Sequence, residues 1–321
     1  MLFSALLLAS TASATCLHGL SKFKRAEGAE TVEVNTFGYG PMNGPFNWAS
    51  LAPENEACKA GKNQSPINVD ASITAAPSRP TLDIPAGPVV FENLGTTIEV
   101  VVNGTTSYAG VNYRLVQFHM HAPSEHHVND EFFPLEIHMV HQGVDDESQL
   151  AVIALMFEVS ANDSASMIQS LSSSLSAITT PGTKTDISDG IDFTDVVSVL
   201  KTSDIQTYSG SLTTPPCAEG VTFLIVKDPL PVNVEDFNAI KKIVKFNSRF
   251  IQNALGQNNM IEIGALAGGN TSAVPAAIPA AAPMSRSSLE ISADLPLVNA
   301  KVGVNAAIES PAPVQRRVRK Y

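Results

Sequence analysis

Six of the chain's seven histidines fall within residues 119–141, and that concentration restricts the fold more than any other feature. In Gln117-Phe118-His119-Met120-His121 two histidines alternate along a run of strand-favouring residues. Side chains at i and i+2 of a strand leave the same face, so both imidazoles reach one point above a sheet. The run Leu135-Glu136-Ile137-His138-Met139-Val140 carries a third. If the two runs pair, His119, His121 and His138 converge. Three neutral imidazoles leave one position of a tetrahedral zinc open, which is the arrangement of a catalytic rather than a structural site. Ligand imidazoles also need their outer nitrogens held. Gln117 and Glu136 each stand two residues before a ligand on the same strand face, where they can accept such bonds.

The rest of the body agrees with a sheet. Val89–Phe91, Thr97–Val102, Tyr113–His121, Leu135–Val140, Leu150–Phe157 and Val221–Val226 read as strands, and Asn103-Gly104 reads as a hairpin turn. Helical spacing is scarcer: Ser164–Ile178 and Val234–Phe246 carry it. The expected class is mainly β (α+β). A net charge of −11 argues against a nucleic-acid partner, whose phosphates select basic surfaces.

The ends have a different texture. Residues 1–14 resemble a signal peptide, with an apolar run from Leu2 to Ala9 before small residues. Residues 15–34 read as a pro-segment or linker, with Lys24-Arg25 as a processing site, and 35–265 as the single domain. From 266 to 321 the Ala-, Pro- and Ser-rich chain with its basic end is expected to be a disordered tail. Export makes the sequons at Asn103, Asn162 and Asn270 glycosylation candidates. Cys58 and Cys217 are then the two thiols inside the body; they are either a disulfide or two unrelated buried thiols.

Several separated motifs go further. Gly38-Tyr39-Gly40 with Trp48, Gln64-Ser65-Pro66-Ile67, Ser124-Glu125-His126, Leu150-Ala151-Val152 and Ser211-Leu212-Thr213-Thr214-Pro215-Pro216-Cys217 flank the two histidine runs in order. Over roughly Phe37 to Gln252 the chain strongly resembles the α-class carbonic anhydrases. The resemblance implies a single domain around a large twisted, mostly antiparallel sheet with short surface helices. It also implies a Cys58–Cys217 bridge, zinc on the three histidines, and reversible hydration of carbon dioxide to bicarbonate by a secreted enzyme. Thr213 and Glu125 match the family's catalytic pair. Val140, Val152, Leu212, Thr214 and Val221 match the substrate pocket, and Asn247 the residue whose carbonyl holds a ligand imidazole. His126 and His141 match structural histidines, and Arg249 fits its pattern although Phe250 replaces a proline.

Two departures matter. Thr96 stands where fast members carry a histidine that shuttles the proton out, and threonine does not titrate near neutral pH. Phe223 replaces a tryptophan in the pocket wall. The rival readings are a metal-free binding module on the same fold and a different zinc hydrolase. The retained ligand set argues against the first, and the lack of an H-E-x-x-H motif against the second.

Overall fold

The computed structural model describes residues 31–269. The predicted signal peptide, Cys16, Lys24-Arg25, the sequon at Asn270 and nearly all of the predicted tail lie outside them.

Twelve strands occur among the described residues: β1 (Asn68–Val69), β2 (Thr81–Asp83), β3 (Val89–Asn93), β4 (Ile98–Tyr108), β5 (Val111–His121), β6 (His127–Val128), β7 (Glu131–Phe132), β8 (Leu135–Gly143), β9 (Leu150–Ser160), β10 (Lys184–Ile187), β11 (Ile205–Ser211) and β12 (Glu219–Asn233). Nine form one large sheet in the order β10-β3-β4-β5-β8-β9-β12-β11, with β2 pairing against β4. Neighbours in this sheet are antiparallel except β9 and β12, which run parallel. The central strands are buried along their length: every residue of β8 is inaccessible. Strands covered on both faces can read as near-continuous apolar runs, as β9 does over Leu150–Phe157, whereas β5 and β8 keep an alternation because one of their buried faces carries the histidines and their polar partners.

One face packs against helices. Here Phe118, Met120, Ile137, Met139, Ile153 and Leu155 meet Met167, Ile168 and Leu171 in the larger apolar cluster. The opposite face carries the histidines and a smaller cluster around Val140, Val152, Leu212 and Val221.

Six helices are short and peripheral: α1 (Trp48–Leu51), α2 (Ala57–Ala60), α3 (Ser166–Ser172), α4 (Thr194–Thr202), α5 (Val234–Val244) and α6 (Met260–Gly269). The predicted helix over Ser164–Ile178 is shorter than expected; after α3 the chain tightens into a 3₁₀ turn at Leu175–Ile178. Serine explains the break: Ser170 and Ser172 turn their hydroxyls back onto the carbonyls of Ser166 and Ile168, a bond that competes with a regular helix. Helix α5 matches its prediction closely. Asn233 caps it by accepting from the Asp236 N–H, and the left-handed backbone of Lys245 (φ 57°) stops it before Phe246.

The predicted turn at Asn103-Gly104 is wrong. Both residues lie inside β4, where the register with β5 shifts between Val101 and Gly104. The glycine answers a different need, close approach of β2: a Cβ at Gly104 would sit 2.9 Å from Ile84 and 3.0 Å from the Asp83 carbonyl. The hairpin instead turns at Ala109-Gly110, both with positive φ (50° and 82°), as a two-residue loop of this hand requires.

Candidate metal centre

Strands β5 and β8 pair, and the register sets His119 directly opposite His138 and His121 opposite Glu136. Alternation then puts Gln117, His119, His121, Glu136, His138 and Val140 on one face. All three imidazoles are buried, with ring centroids 4.7–5.4 Å apart. One nitrogen from each lies within 4.8 Å of the others.

The outer nitrogens are each committed. His119 Nδ1–H donates to Gln117 Oε1 at 2.9 Å, His121 Nδ1–H to the Asn247 carbonyl at 2.9 Å, and His138 Nε2–H to Glu136 Oε1 at 2.7 Å. Each acceptor is an oxygen that cannot donate, so the tautomers are fixed and the remaining lone pairs point inward. His121 Nε2 is buried without a hydrogen bond. That orphaned acceptor, the three convergent nitrogens and the all-imidazole donor set fit a zinc ion.

Electrostatics favours neutral rings on the His119–His121 side. Burial pulls His119 well below the usual histidine range and pulls His121 down, and neighbouring imidazoles add to both shifts. His138 differs: burial disfavours its charge, but the Glu136 carboxylate beside it raises it overall. For Glu136 burial favours the neutral acid, yet His126 and His138 hold it well below the usual carboxylate range.

Glu136 is also an organiser. Its Oε2 accepts the Glu125 and His126 backbone N–H groups at 2.7 and 2.8 Å, and its Oε1 accepts His126 Nδ1–H at 2.6 Å. His126 Nε2 then accepts from the Tyr208 hydroxyl at 2.6 Å, and that oxygen lies 2.7 Å from Ser65 Oγ. Ser65 belongs to the Gln64-Ser65-Pro66-Ile67 motif, whereas nothing in the sequence points to Tyr208. Tyr208 sits on β11, a strand whose Ser/Gly-rich sequence carries no strong strand pattern.

Glu125 is buried on the side of the inward-facing nitrogens. Its Oε1 accepts the Arg249 backbone N–H at 2.9 Å, while its Oε2 makes no hydrogen bond and lies 3.4 Å from His121 Nε2 and 3.9 Å from His138 Nδ1. Arg249 is buried, donating to the carbonyls of Ser65 and Cys58 and lying over the Trp48 ring. Thr213 and Thr214 are fully buried in the loop after β11. That loop is fastened by the Cys58–Cys217 disulfide, by Gln64 Nε2 donating to the Cys217 carbonyl, and by Cys217 N–H donating to Thr214. With its cysteines 159 positions apart in the chain, the bridge stabilises the fold by about 2–4 kcal/mol through the unfolded chain it restricts.

The four residues assigned to an apolar wall, Val140, Val152, Leu212 and Val221, are buried in one cluster with Phe223. Phe223 stacks on Tyr208 with centroids 5.1 Å apart and leans on His126 and His138. Phe250 stacks on Phe46 at 4.8 Å. Thr96 is buried and does not offer an open, titratable group.

His141 is buried and belongs to the framework. Burial lowers it from 6.5 to about 4, against partial opposition from the Met139 and Ala151 carbonyls. A base depressed on folding leaves stability complete above the unfolded value and draws it down as pH falls towards the folded one. Between pH 7 and 4.5 the metal-free protein is expected to lose about 2–3 kcal/mol through this residue. Urea unfolding at the two pH values, with His141→Asn beside the parent, measures it. Equal losses in both proteins would refute the assignment.

Fold and cluster together define a mainly-β protein with a three-histidine candidate metal centre. Residues 43–261 match the family model described as eukaryotic-type carbonic anhydrase, and the chain belongs to that α-class family. A carbonic anhydrase of Pectobacterium atrosepticum is 33% identical over 220 residues, covering 67% of this chain and 86% of the relative. Dioscorin DB3L of Dioscorea polystachya is 33% identical over 217 residues, covering 65% of this chain and 77% of that one. The solved structure of the fungal alpha carbonic anhydrase from Aspergillus oryzae superposes with a TM-score of 0.68 at 40% identity, over 72% of this chain and 99% of that one. The sequence's resemblance, fold class and disulfide pairing are all borne out.

Proposed function

We propose that this chain is a secreted zinc carbonic anhydrase that converts carbon dioxide and water reversibly to bicarbonate and a proton, with proton release as its slow step. The observation that carries the reading is the set of three convergent imidazole nitrogens, each ring pinned from outside by Gln117, Asn247 or Glu136. Zinc on three neutral imidazoles supplies Lewis acidity that makes water a nucleophile near neutral pH; carbonic anhydrase is the standard example of that chemistry.

The chain's own residues do the rest. Arg249 N–H occupies one oxygen of Glu125, so only Oε2 is left to take the Thr213 hydroxyl proton. A threonine that donates to a carboxylate must accept from anything else it meets, and in this way Thr213 selects and aims a protonated oxygen. Val140, Val152, Leu212 and Val221 offer carbon dioxide an apolar surface without competing polar groups. Thr214 is proposed to line the same pocket. Export is supported by the disulfide, which suits an oxidising compartment. Among the described residues no helix is long and apolar enough to cross a membrane. Asn103 and Asn162 are exposed, so glycans are proposed at both.

The test is zinc analysis with stopped-flow carbon dioxide hydration, in low buffer and with added imidazole, and with an aromatic sulfonamide as inhibitor. Stoichiometric zinc, sulfonamide-sensitive hydration and stimulation by imidazole of about 10-fold or more are expected, since a missing general base is what the buffer replaces. Stoichiometric zinc without hydration would sink the enzyme reading and leave the binding module. Full turnover without imidazole would sink the slow-exit reading.

A further inference from the structure

The segment 32–37 runs as an extended strap across the outer end of the β3–β4 loop. Val32 N–H donates to the Gly182 carbonyl at 3.0 Å, and Asn35 N–H to the Leu94 carbonyl at 3.1 Å. Between these bonds Val34 presses on Gly95, where a Cβ would come within 2.5 Å of the valine methyl and where φ is +81°. At the far end Phe37 is buried edge-on against Trp48, with centroids 5.6 Å apart. The strap is therefore fastened on both sides of Asn35.

Asn35 turns its side chain inward, and its Nδ2 donates to Thr96 Oγ1 at 2.6 Å in a buried bond. The Thr96 carbonyl accepts from Asn247 Nδ2 at 2.9 Å. The same amide donates to the Met120 carbonyl at 2.8 Å and accepts the Ala122 N–H at 2.8 Å, so Asn247 is held from three directions. Its own backbone carbonyl takes His121 Nδ1–H at 2.9 Å. A continuous line of bonds thus runs from the strap through Thr96 and Asn247 to His121.

We propose that the strap is a working part of the metal centre, and that Asn35 is a positioning residue which, through Thr96 and Asn247, holds His121 in its ligating orientation. The threonine that cannot shuttle a proton serves instead as a tether. An imidazole in its place would put a larger ring where the Asn35 amide now bonds. The inference rests on the zinc reading of the three histidines.

The test is the rate at which the zinc-loaded full-length protein releases metal to a colorimetric chelator. Asn35→Ala and Thr96→Val should each speed release about 10-fold, the lower end of what outer partners of metal ligands contribute. The double variant should be no faster than either single, because both break the same bond. Thr96→Ser keeps the hydroxyl and should release zinc at the parent rate. Arg79→Ala, which removes a side chain bonded to the Leu200 carbonyl at the end of α4, costs stability away from this line and should not change release. Parent-like release from both Asn35→Ala and Thr96→Val, or equal acceleration by Arg79→Ala, overturns the proposal while the zinc reading stands. A parent protein that holds no zinc overturns both. If Asn35→Ala does not fold, the Thr96→Val and Thr96→Ser pair decides alone.

Discussion

Replacing His138 with alanine is expected to abolish metal retention and reduce carbon dioxide hydration to the uncatalysed background. The variant removes one of three convergent donors, and affinity should fall by well over the roughly 100-fold reached by losing an outer partner alone. It also takes from Glu136 Oε1 one of the two imidazole N–H groups it accepts. The carboxylate keeps His126 and two backbone N–H groups, so the destabilisation should stay near the cost of one lost buried bond, about 1–3 kcal/mol. A folded protein that binds almost no zinc is therefore the expected product. Metal analysis after dialysis, circular dichroism and stopped-flow hydration check the three parts. A folded His138→Ala protein with stoichiometric zinc and parent activity would dismiss the three-histidine centre altogether.

The centre was legible in the sequence because its pattern is local. His119 and His121 share a strand, and His138 follows on the next, so a period of two and one pairing suffice. Neighbouring β9 was legible for a related reason: burial on both faces leaves a long apolar run over Leu150–Phe157. Contacts between residues far apart in the chain left no such trace. Asn35 bonds Thr96 across 61 positions of the chain, and Tyr208 bonds His126 across 82, through buried side-chain hydrogen bonds. Polar residues of this kind look like ordinary surface composition until the fold brings them together. Asn103-Gly104 misled for the opposite reason. Its local signal is strong, but tertiary crowding by β2 accounts for the glycine, so the turn lay elsewhere.

Thr213 and Glu125 offer the other large effect, this time with the metal retained. Thr213→Val keeps the shape of the side chain and deletes its hydroxyl, so kcat/KM for hydration should fall about 10²–10³-fold, the scale of losing one aimed polar contact at a reacting centre. Zinc content should not change, because neither residue carries a ligand nitrogen or bonds an outer one. Glu125→Gln should cost a similar factor for a distinct reason. Its amide oxygen can still accept the Arg249 N–H, which leaves the amide nitrogen where Oε2 now faces His121 and His138. A nitrogen there donates and cannot accept from Thr213, so the direction proposed for the hydroxyl is lost although the hydroxyl remains present. The double variant should therefore be little worse than either single, the signature of residues acting as one unit. Multiplying losses would mean that Thr213 and Glu125 act separately. A zinc-replete Thr213→Val protein with parent kcat/KM would remove threonine from the chemistry.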